Sequence, residues 1–269
     1  MPSTPRSEIP HGVAMPAGLA VCSDLALTDA GGRASSPLLA RTSADGGIGE
    51  REHAPLYTGQ VPASTLVAEM RMNLDKTQVA RRNLGTALAL FLDDLDPVSV
   101  HTLACAGCEV AEHLTRKAGA EPFSTHVLAT FPSLDIQKIR RLQNQYWNAF
   151  KHATTRDGVE RDDQELLDRF DDYTNNHTLF IGWYDYMLAT GTLPPEAQAF
   201  QMWYFALYPD KLNPGVDSTP YERVFPNLKE KSAPERKKML RDWIASARTD
   251  LDLMVDPRTD ARPLILPAE

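Results

Sequence analysis

Residues 74–95, LDKTQVARRNLGTALALFLDDL, decide the fold class of this chain. The apolar residues Leu84, Leu88, Phe91 and Leu95 recur at intervals of three or four positions, which is the spacing of one buried face of an α-helix. The stretch therefore predicts an amphipathic helix that packs on a core through this face.

A second helix is predicted directly after the first. Asp96 and Pro97 are typical of an N-cap followed by proline at the first helical position, where the missing N–H group is tolerated. The apolar positions of this second helix, which extends to about residue 118, are Val100, Leu103, Gly107, Val110 and Leu114. A tight turn between the two helices predicts an antiparallel helical hairpin.

The rest of the chain continues the helical pattern. Helices are predicted at residues 133–153, at residues 164–190 up to Gly191, after Pro194 in the aromatic stretch AFQMWYFALY, and after the capping box of Ser232 and Glu235. The segments 121–135 and 208–227 are predicted to be loops. No strand pattern competes with these helices, so the sequence predicts an all-α bundle of about six helices.

Composition divides the chain into three parts. Residues 1–65 are rich in Pro, Gly, Ser, Ala and Thr without a sustained period, which is typical of a disordered tail. Residues 72–255 form the predicted folded domain, and residues 256–269 a C-terminal tail. The chain has no apolar run near the roughly 20 residues that span a bilayer and only three cysteines. We therefore expect a cytoplasmic protein without a membrane partner.

The predicted helix at residues 133–153 has an unusual polar face. At about 100° per residue, Arg141, Gln145, Asn148 and His152 fall within a stripe roughly 60° wide. Residues 137–156 contain no acid and five basic residues, whereas the whole chain carries a net charge of −8. A solvated surface is the simplest interpretation of such a stripe. The absence of acidic residues favours the alternative, a face that binds a ligand.

This stretch also resembles a known family. An all-α bundle with NAFKH near the end of a helix is similar to the HEPN superfamily, whose signature is an arginine, four to six residues and then a histidine, often with a polar residue directly after the arginine. Asn148 and His152 match the polar residue and the histidine, whereas Trp147 stands at the arginine position. The hairpin at residues 81–114 also resembles that of HEPN-like bacterial proteins.

The resemblance implies a homodimer and a nucleotide or RNA ligand. In HEPN members that cleave RNA without a metal, the arginine holds the phosphate and the histidine transfers a proton at the 2′-hydroxyl. Transferred to this chain, His152 and Asn148 are the candidate catalytic residues, and Arg141, Lys151 and Gln145 are the candidate substrate-binding residues. A degenerate domain that binds RNA without cleaving it is one alternative. A homodimerisation module without a nucleic-acid role is the other.

No metal or cofactor motif accompanies these residues. His101, Cys105, Cys108 and Glu112 share one stripe of the second helix, but zinc needs four ligands that converge from separate segments. We interpret the two cysteines as small packing residues. His177 shares a stripe with aromatic residues and is predicted to be a hydrogen-bonded core histidine.

Overall fold

The first two predicted helices are present, and an aspartate caps each of them. The computed structural model describes residues 74–267 except 132, 134, 213 and 214. Helix α1 spans Lys76–Leu92, and the side chain of Asp75 caps it by accepting a hydrogen bond from the Gln78 N–H group. Helix α2 spans Pro97–Lys117, and the Asp96 side chain accepts from the N–H groups of Val98 and Ser99. The predicted tail at residues 1–65 lies outside the described residues.

The described residues form eleven α-helices and no sheet. After α1 and α2 come α3 (Phe123–Thr130), α4 (Ile136–Gln143), α5 (Gln145–Lys151), α6 (Gln164–Leu167), α7 (Tyr173–Thr190), α8 (Pro195–Leu207), α9 (Thr219–Val224), α10 (Ala233–Ala247) and α11 (Leu251–Val255). The all-α fold predicted from the sequence is confirmed. None of these helices combines the length and the apolar character that a membrane span requires.

Helices α1, α2 and α7 approach one another closely around Leu84. A Cβ atom added to Gly107 of α2 would lie 2.6 Å from the Leu84 Cγ atom, and one added to Gly182 of α7 would lie 2.5 Å from a Leu84 methyl group. Leu84 is fully buried. Two glycines without side chains therefore make the space into which one leucine packs, and they set the distances within the three-helix core.

Gly107→Ala should destabilise the protein by about 1–3 kcal/mol, since the added methyl group overpacks a filled site. Urea unfolding of the full chain measures this change in the free energy of unfolding. In a Leu84→Ala background the same substitution should have a smaller effect, because the two sites are in contact and their effects are then not additive. Equal losses in both backgrounds would contradict this close packing.

Helices α8 and α10 form a second layer on this core. The predicted aromatic helix is buried along its whole length, and Phe200, Trp203, Tyr204 and Phe205 are at most 4% exposed. The Trp203 indole N–H donates to the Arg236 carbonyl of α10 at 3.0 Å. The capping box at the start of α10 is confirmed, with the Ser232 N–H and hydroxyl groups bound to the Glu235 carboxylate.

The segment after α11, predicted as a C-terminal tail, packs back along α1. Its Asp260 side chain accepts a hydrogen bond from Arg81 at 2.9 Å, and the Arg81 side chain is 1% exposed. Arg81 also donates to the carbonyls of Pro263 and Leu264. Residue 259 forms a parallel β-bridge with Leu193. We call residues 256–267 the C-terminal strap.

Several predicted element boundaries are wrong. The helix predicted at residues 133–153 is divided at Asn144 into α4 and α5, and the helix predicted at residues 164–190 is divided into α6 and α7. Part of the loop predicted at residues 121–135 is helix α3. Leu95 lies beyond the end of α1 and is 53% exposed. These differences matter because α4, α5 and α7 surround the candidate site.

Candidate functional site

A cavity of about 630 Å³ lies between α2, α4, α5 and α7. This volume is typical of pockets that bind small organic ligands. Three of the candidate residues line the cavity, namely Gln145, Asn148 and Lys151. They recur every three residues along α5, so they lie on neighbouring parts of one helix face.

Lys151, the last residue of α5, is the charged group of this face. Its ammonium nitrogen lies 3.4 Å from the centroid of the Trp147 ring, in a cation–π contact. Trp147 also lines the cavity. No carboxylate among the described residues lies within ion-pair distance of Lys151. The α5 face therefore combines a cation that pairs with no acid of the described residues with two side-chain amides and an indole ring.

Arg141 and His152 do not join this face. Arg141 belongs to α4, on the other side of the interruption at Asn144, and is exposed. His152 follows the end of α5 with an extended backbone, φ −126° and ψ 113°, and is also exposed. Neither residue lines the cavity. The four side chains predicted to form one helical stripe are therefore split between two helices and a following extended residue.

His101 holds α5 against α2. Its ring packs edge-on against Tyr146 and Phe150 of α5 and against Phe170, with centroids 5.4–5.9 Å apart. His101 is 1% exposed. Such edge-to-face pairs stabilise beyond the area that they bury. This buried ring therefore positions the helix that carries Gln145, Asn148 and Lys151.

The neighbours of His101 determine its tautomer. The Asn175 amide donates to the Pro97 carbonyl and to Asp172, so its oxygen is free to accept from His101 Nδ1–H at 3.0 Å. His101 Nε2 then accepts from the Cys105 thiol at 3.3 Å. Burial lowers the pKa of His101 to about 4, and burial raises the pKa of Cys105 to about 12. Both groups stay neutral near pH 7.

The two cysteines of α2 are packing residues in this environment. The Cys108 thiol donates to the Thr178 carbonyl at 3.2 Å, and burial raises its pKa well above the usual value. A protonated, buried thiol is a poor nucleophile and a poor metal ligand. Within the part of the chain that the structure describes, no three His, Cys, Asp or Glu residues are grouped as a metal site would require.

A carboxyl pair lies further along the cavity. Glu112 of α2 and Asp185 of α7 both line it. Glu112 accepts from Arg116 at 2.6 Å and from the Ser124 hydroxyl at 2.9 Å, and the Arg140 guanidinium is 3.8 Å away. Burial acts to raise the pKa of Glu112, but the hydrogen bonds from Arg116 and Ser124 outweigh it and lower the pKa below its usual value.

Asp185 has the opposite electrostatic environment. It is 2% exposed, and one of its oxygens accepts from the Phe123 N–H group at 2.7 Å. Burial is the largest cause of a raised pKa at Asp185, and the negative charge of Glu112 raises it further. The hydrogen bond from Phe123 acts to lower this pKa but does not outweigh them, and the result is a pKa of about 7. Sequence reasoning did not single out this residue. The signal was present as a lone acid within FIGWYDYML, residues 180–188, because an isolated acid in an apolar helical run is rarely buried without a role.

No protein-family model, curated protein or solved structure matches this chain. A functional assignment therefore depends on the residues that line the cavity.

Proposed function

We propose that this chain is a HEPN-like, RNA-binding protein of the bacterial type that binds a nucleotide unit in the cavity between α2, α5 and α7. The unit is a free nucleotide or the end of an RNA strand. In this proposal the protein does not cleave RNA through His152. The family resemblance further suggests a cytoplasmic homodimer.

The observation that carries the proposal is the α5 face. Lys151 is a cation without a carboxylate partner among the described residues, so it can hold a phosphate group. The amides of Gln145 and Asn148 line the same cavity and can donate to and accept from sugar hydroxyls or base edges. The Trp147 ring offers a surface on which a base can stack.

The same placement argues against cleavage by His152. A general base must come within hydrogen-bond reach of the proton that it takes. His152 lies outside the lining of the cavity and follows the last residue of α5 with an extended backbone. A ligand held by Lys151 and the two amides inside the cavity would therefore not present its 2′-hydroxyl to His152. We assign Asn148 and Gln145 to binding.

Lys151→Ala should weaken nucleotide binding about tenfold or more, because a hydrogen bond to a charged group contributes roughly 1.5–3 kcal/mol. Titration of the full chain with a short single-stranded RNA and with mononucleotides, in the presence of EDTA, measures this loss. For RNA the salt dependence of binding should also become shallower by about one phosphate contact. Lys138→Ala is the matched control, since Lys138 is an exposed lysine of α4 outside the cavity lining.

Three outcomes would overturn the proposal. Unchanged affinity in Lys151→Ala would remove the α5 face from binding. Absence of binding in the unmutated protein would leave the homodimerisation module, which light scattering of the same sample tests. RNA cleavage that disappears in His152→Ala would restore the catalytic hypothesis instead.

A further inference from the structure

A second group of charged side chains lies in the same cavity, where α2, α3 and α4 meet. Arg116 of α2 and Arg140 of α4 both line the cavity, together with Glu112 and Ser124. The Arg116 Nη2–H group donates to Glu112 Oε1 at 2.6 Å, and the Arg140 Nη2 atom lies 3.8 Å from that same oxygen. Two guanidinium groups from different helices therefore meet at one carboxylate oxygen.

The buried Ser124 hydroxyl holds this carboxylate in place. Ser124 is 3% exposed, and its hydroxyl donates to Glu112 Oε1 at 2.9 Å and accepts from Arg116 Nη2 at 3.1 Å. A guanidinium group carries five N–H donors. Among the described residues, Arg116 donates only through Nη2, and the Arg140 guanidinium donates no hydrogen bond. Most donors of the two guanidinium groups are therefore available to a ligand.

We propose that Arg116 and Arg140 form a phosphate-binding site in this cavity, distinct from Lys151. Guanidinium groups donate paired hydrogen bonds to phosphate oxygens, and two of them can share one phosphate group. The two arginines carry two positive charges against the single negative charge of Glu112, so the group attracts an anion. The ligand is a free phosphate ion or a phosphate group of RNA other than the one at Lys151, and the RNA case rests on the proposed function.

The acids of the cavity limit the strength of this site. Glu112 holds Arg116 in place, but its negative charge opposes an incoming phosphate. Asp185 is 2% exposed, with one oxygen bound to the Phe123 N–H group, and its pKa of about 7 leaves it mostly uncharged at pH 6. Glu112→Gln keeps an acceptor for Arg116 and removes the opposing charge. Phosphate should therefore bind about fivefold more tightly to this variant.

Titration of the full chain with inorganic phosphate at pH 6 and constant ionic strength tests the site. The readout is NMR of the side-chain Nε–H signals of isotopically labelled arginines. The signals of Arg116 and Arg140 should shift and saturate with one dissociation constant, in the unmutated protein and in Lys151→Ala alike. Arg140→Ala should weaken the binding seen at Arg116 about fivefold, the effect of one solvent-exposed charged contact. Arg140 donates no side-chain hydrogen bond to the described residues, so the variant should stay folded.

Arg141→Ala is the matched control, because Arg141 is the neighbouring exposed arginine of α4 and lies outside the cavity lining. Its dissociation constant should stay within about twofold of the unmutated value. Equal losses in Arg140→Ala and Arg141→Ala, or signals that shift without saturating, would indicate general charge attraction and overturn the inference. Loss of the Arg116 shift in Lys151→Ala would indicate a single anion site and overturn it as well. Weaker binding in Glu112→Gln would contradict the opposing charge and leave the arginines a structural role.

Two dinucleotides that differ only in a 5′-phosphate distinguish the two sources of phosphate. If RNA supplies it, the 5′-phosphate should increase the affinity of the unmutated protein about fivefold and that of Arg140→Ala less than about twofold. Equal affinities for both dinucleotides, with saturable binding of inorganic phosphate, would assign the site to a free phosphate ion. Nucleotide binding that Lys151→Ala leaves unchanged would reject the proposed function, whereas the titration with inorganic phosphate would still decide for or against the arginine site.

Discussion

Asp260→Ala should lower the free energy of unfolding by about 3–5 kcal/mol, since removal of one partner leaves a buried charge uncompensated. Asp260 accepts from Arg81, whose side chain is 1% exposed, and from Arg262 at 2.8 Å. Burial acts to raise the pKa of Asp260, but the hydrogen bonds from Arg262 and Arg81 lower it to about 2. The carboxylate therefore stays charged, and Arg81 depends on it.

Urea unfolding of the full chain measures the loss, and hydrogen exchange of the C-terminal strap locates it. Asp260→Asn keeps an acceptor for Arg81 without the charge and should give a smaller loss. Asp256→Ala is the matched control, because Asp256 pairs with Arg258 at the surface of the same segment. Its stability should stay close to that of the unmutated protein. Equal effects of Asp256→Ala and Asp260→Ala would contradict the buried pair.

The strap also depends on the backbone of α1. A Cβ atom at Gly85 would lie 2.3 Å from the Leu264 carbonyl oxygen and 2.6 Å from an Arg81 guanidinium nitrogen. The absence of a side chain at this position therefore lets the strap approach α1 closely enough for Arg81 to reach it. Asp260, Arg81 and Gly85 together form one attachment between residues more than 170 positions apart.

Local sequence signals predicted the helix ends well. The N-cap at Asp96, the left-handed C-cap at Gly191 with φ 74°, and the capping box of Ser232 and Glu235 are all present. Each of these signals acts within one helical turn, so a short window of sequence contains all the atoms involved. The same holds for the burial of Leu84, Leu88 and Phe91 on α1.

Longer-range packing produced the errors. The apolar pattern continues through Asn144, so the sequence predicted one helix where the chain forms two. On the far side of Asn144, Tyr146 and Phe150 pack on His101 of α2. A partner about 45 residues away determines this docking, and periodicity within the segment contains no information about it. The strap is a similar case, because its partners lie on α1.

The candidate site was predicted in part. The basic, acid-free character of residues 137–156 pointed to α5, and Gln145, Asn148 and Lys151 line the cavity. Arg141 and His152 were grouped with them because a continuous helix would place them on one face. Asp185 escaped notice because its environment is built by Glu112, Arg116 and Phe123, which lie on α2 and α3.

Between pH 7 and pH 4, His101 and Asp185 should act on stability in opposite directions. His101 has a pKa of about 4 in the folded chain and about 6.5 in an unfolded one. As the pH falls through this window, the unfolded chain gains a proton that the folded chain does not, so stability is lost. At about 1.4 kcal/mol for each pKa unit, the loss amounts to roughly 3 kcal/mol.

Asp185 has the reverse sign. Its pKa is about 7 when folded and about 3.9 when unfolded, so the folded chain takes up the proton first. Stability from this group is fully present below the unfolded value and is lost as the pH rises through about 7. The gain on acidification from pH 7 to pH 4 is roughly 3 kcal/mol. The two contributions therefore largely cancel in the unmutated protein over this window.

Single variants separate the two contributions. His101→Asn keeps an N–H donor for Asn175 and does not titrate, so its stability relative to the unmutated protein should rise by roughly 3 kcal/mol from pH 7 to pH 4. Asp185→Asn should fall by roughly 3 kcal/mol relative to the unmutated protein over the same range, because Asp185 is already half protonated at pH 7. Urea titrations at several pH values measure both difference curves, in which the remaining carboxylates cancel. Difference curves that stay flat would contradict the buried, neutral state of both groups.

Acidification should also affect the helix that carries the candidate binding residues. His101 contacts Tyr146 and Phe150 of α5, whereas Asp185 is bound to the start of α3. Acidification below about pH 5 therefore weakens the attachment of α5, even where the protonation of Asp185 keeps the global stability nearly unchanged. Amide hydrogen exchange should then increase in α5 relative to α3. Because α5 carries Lys151, Asn148 and Gln145, ligand binding should fail at a pH at which the bundle is still folded.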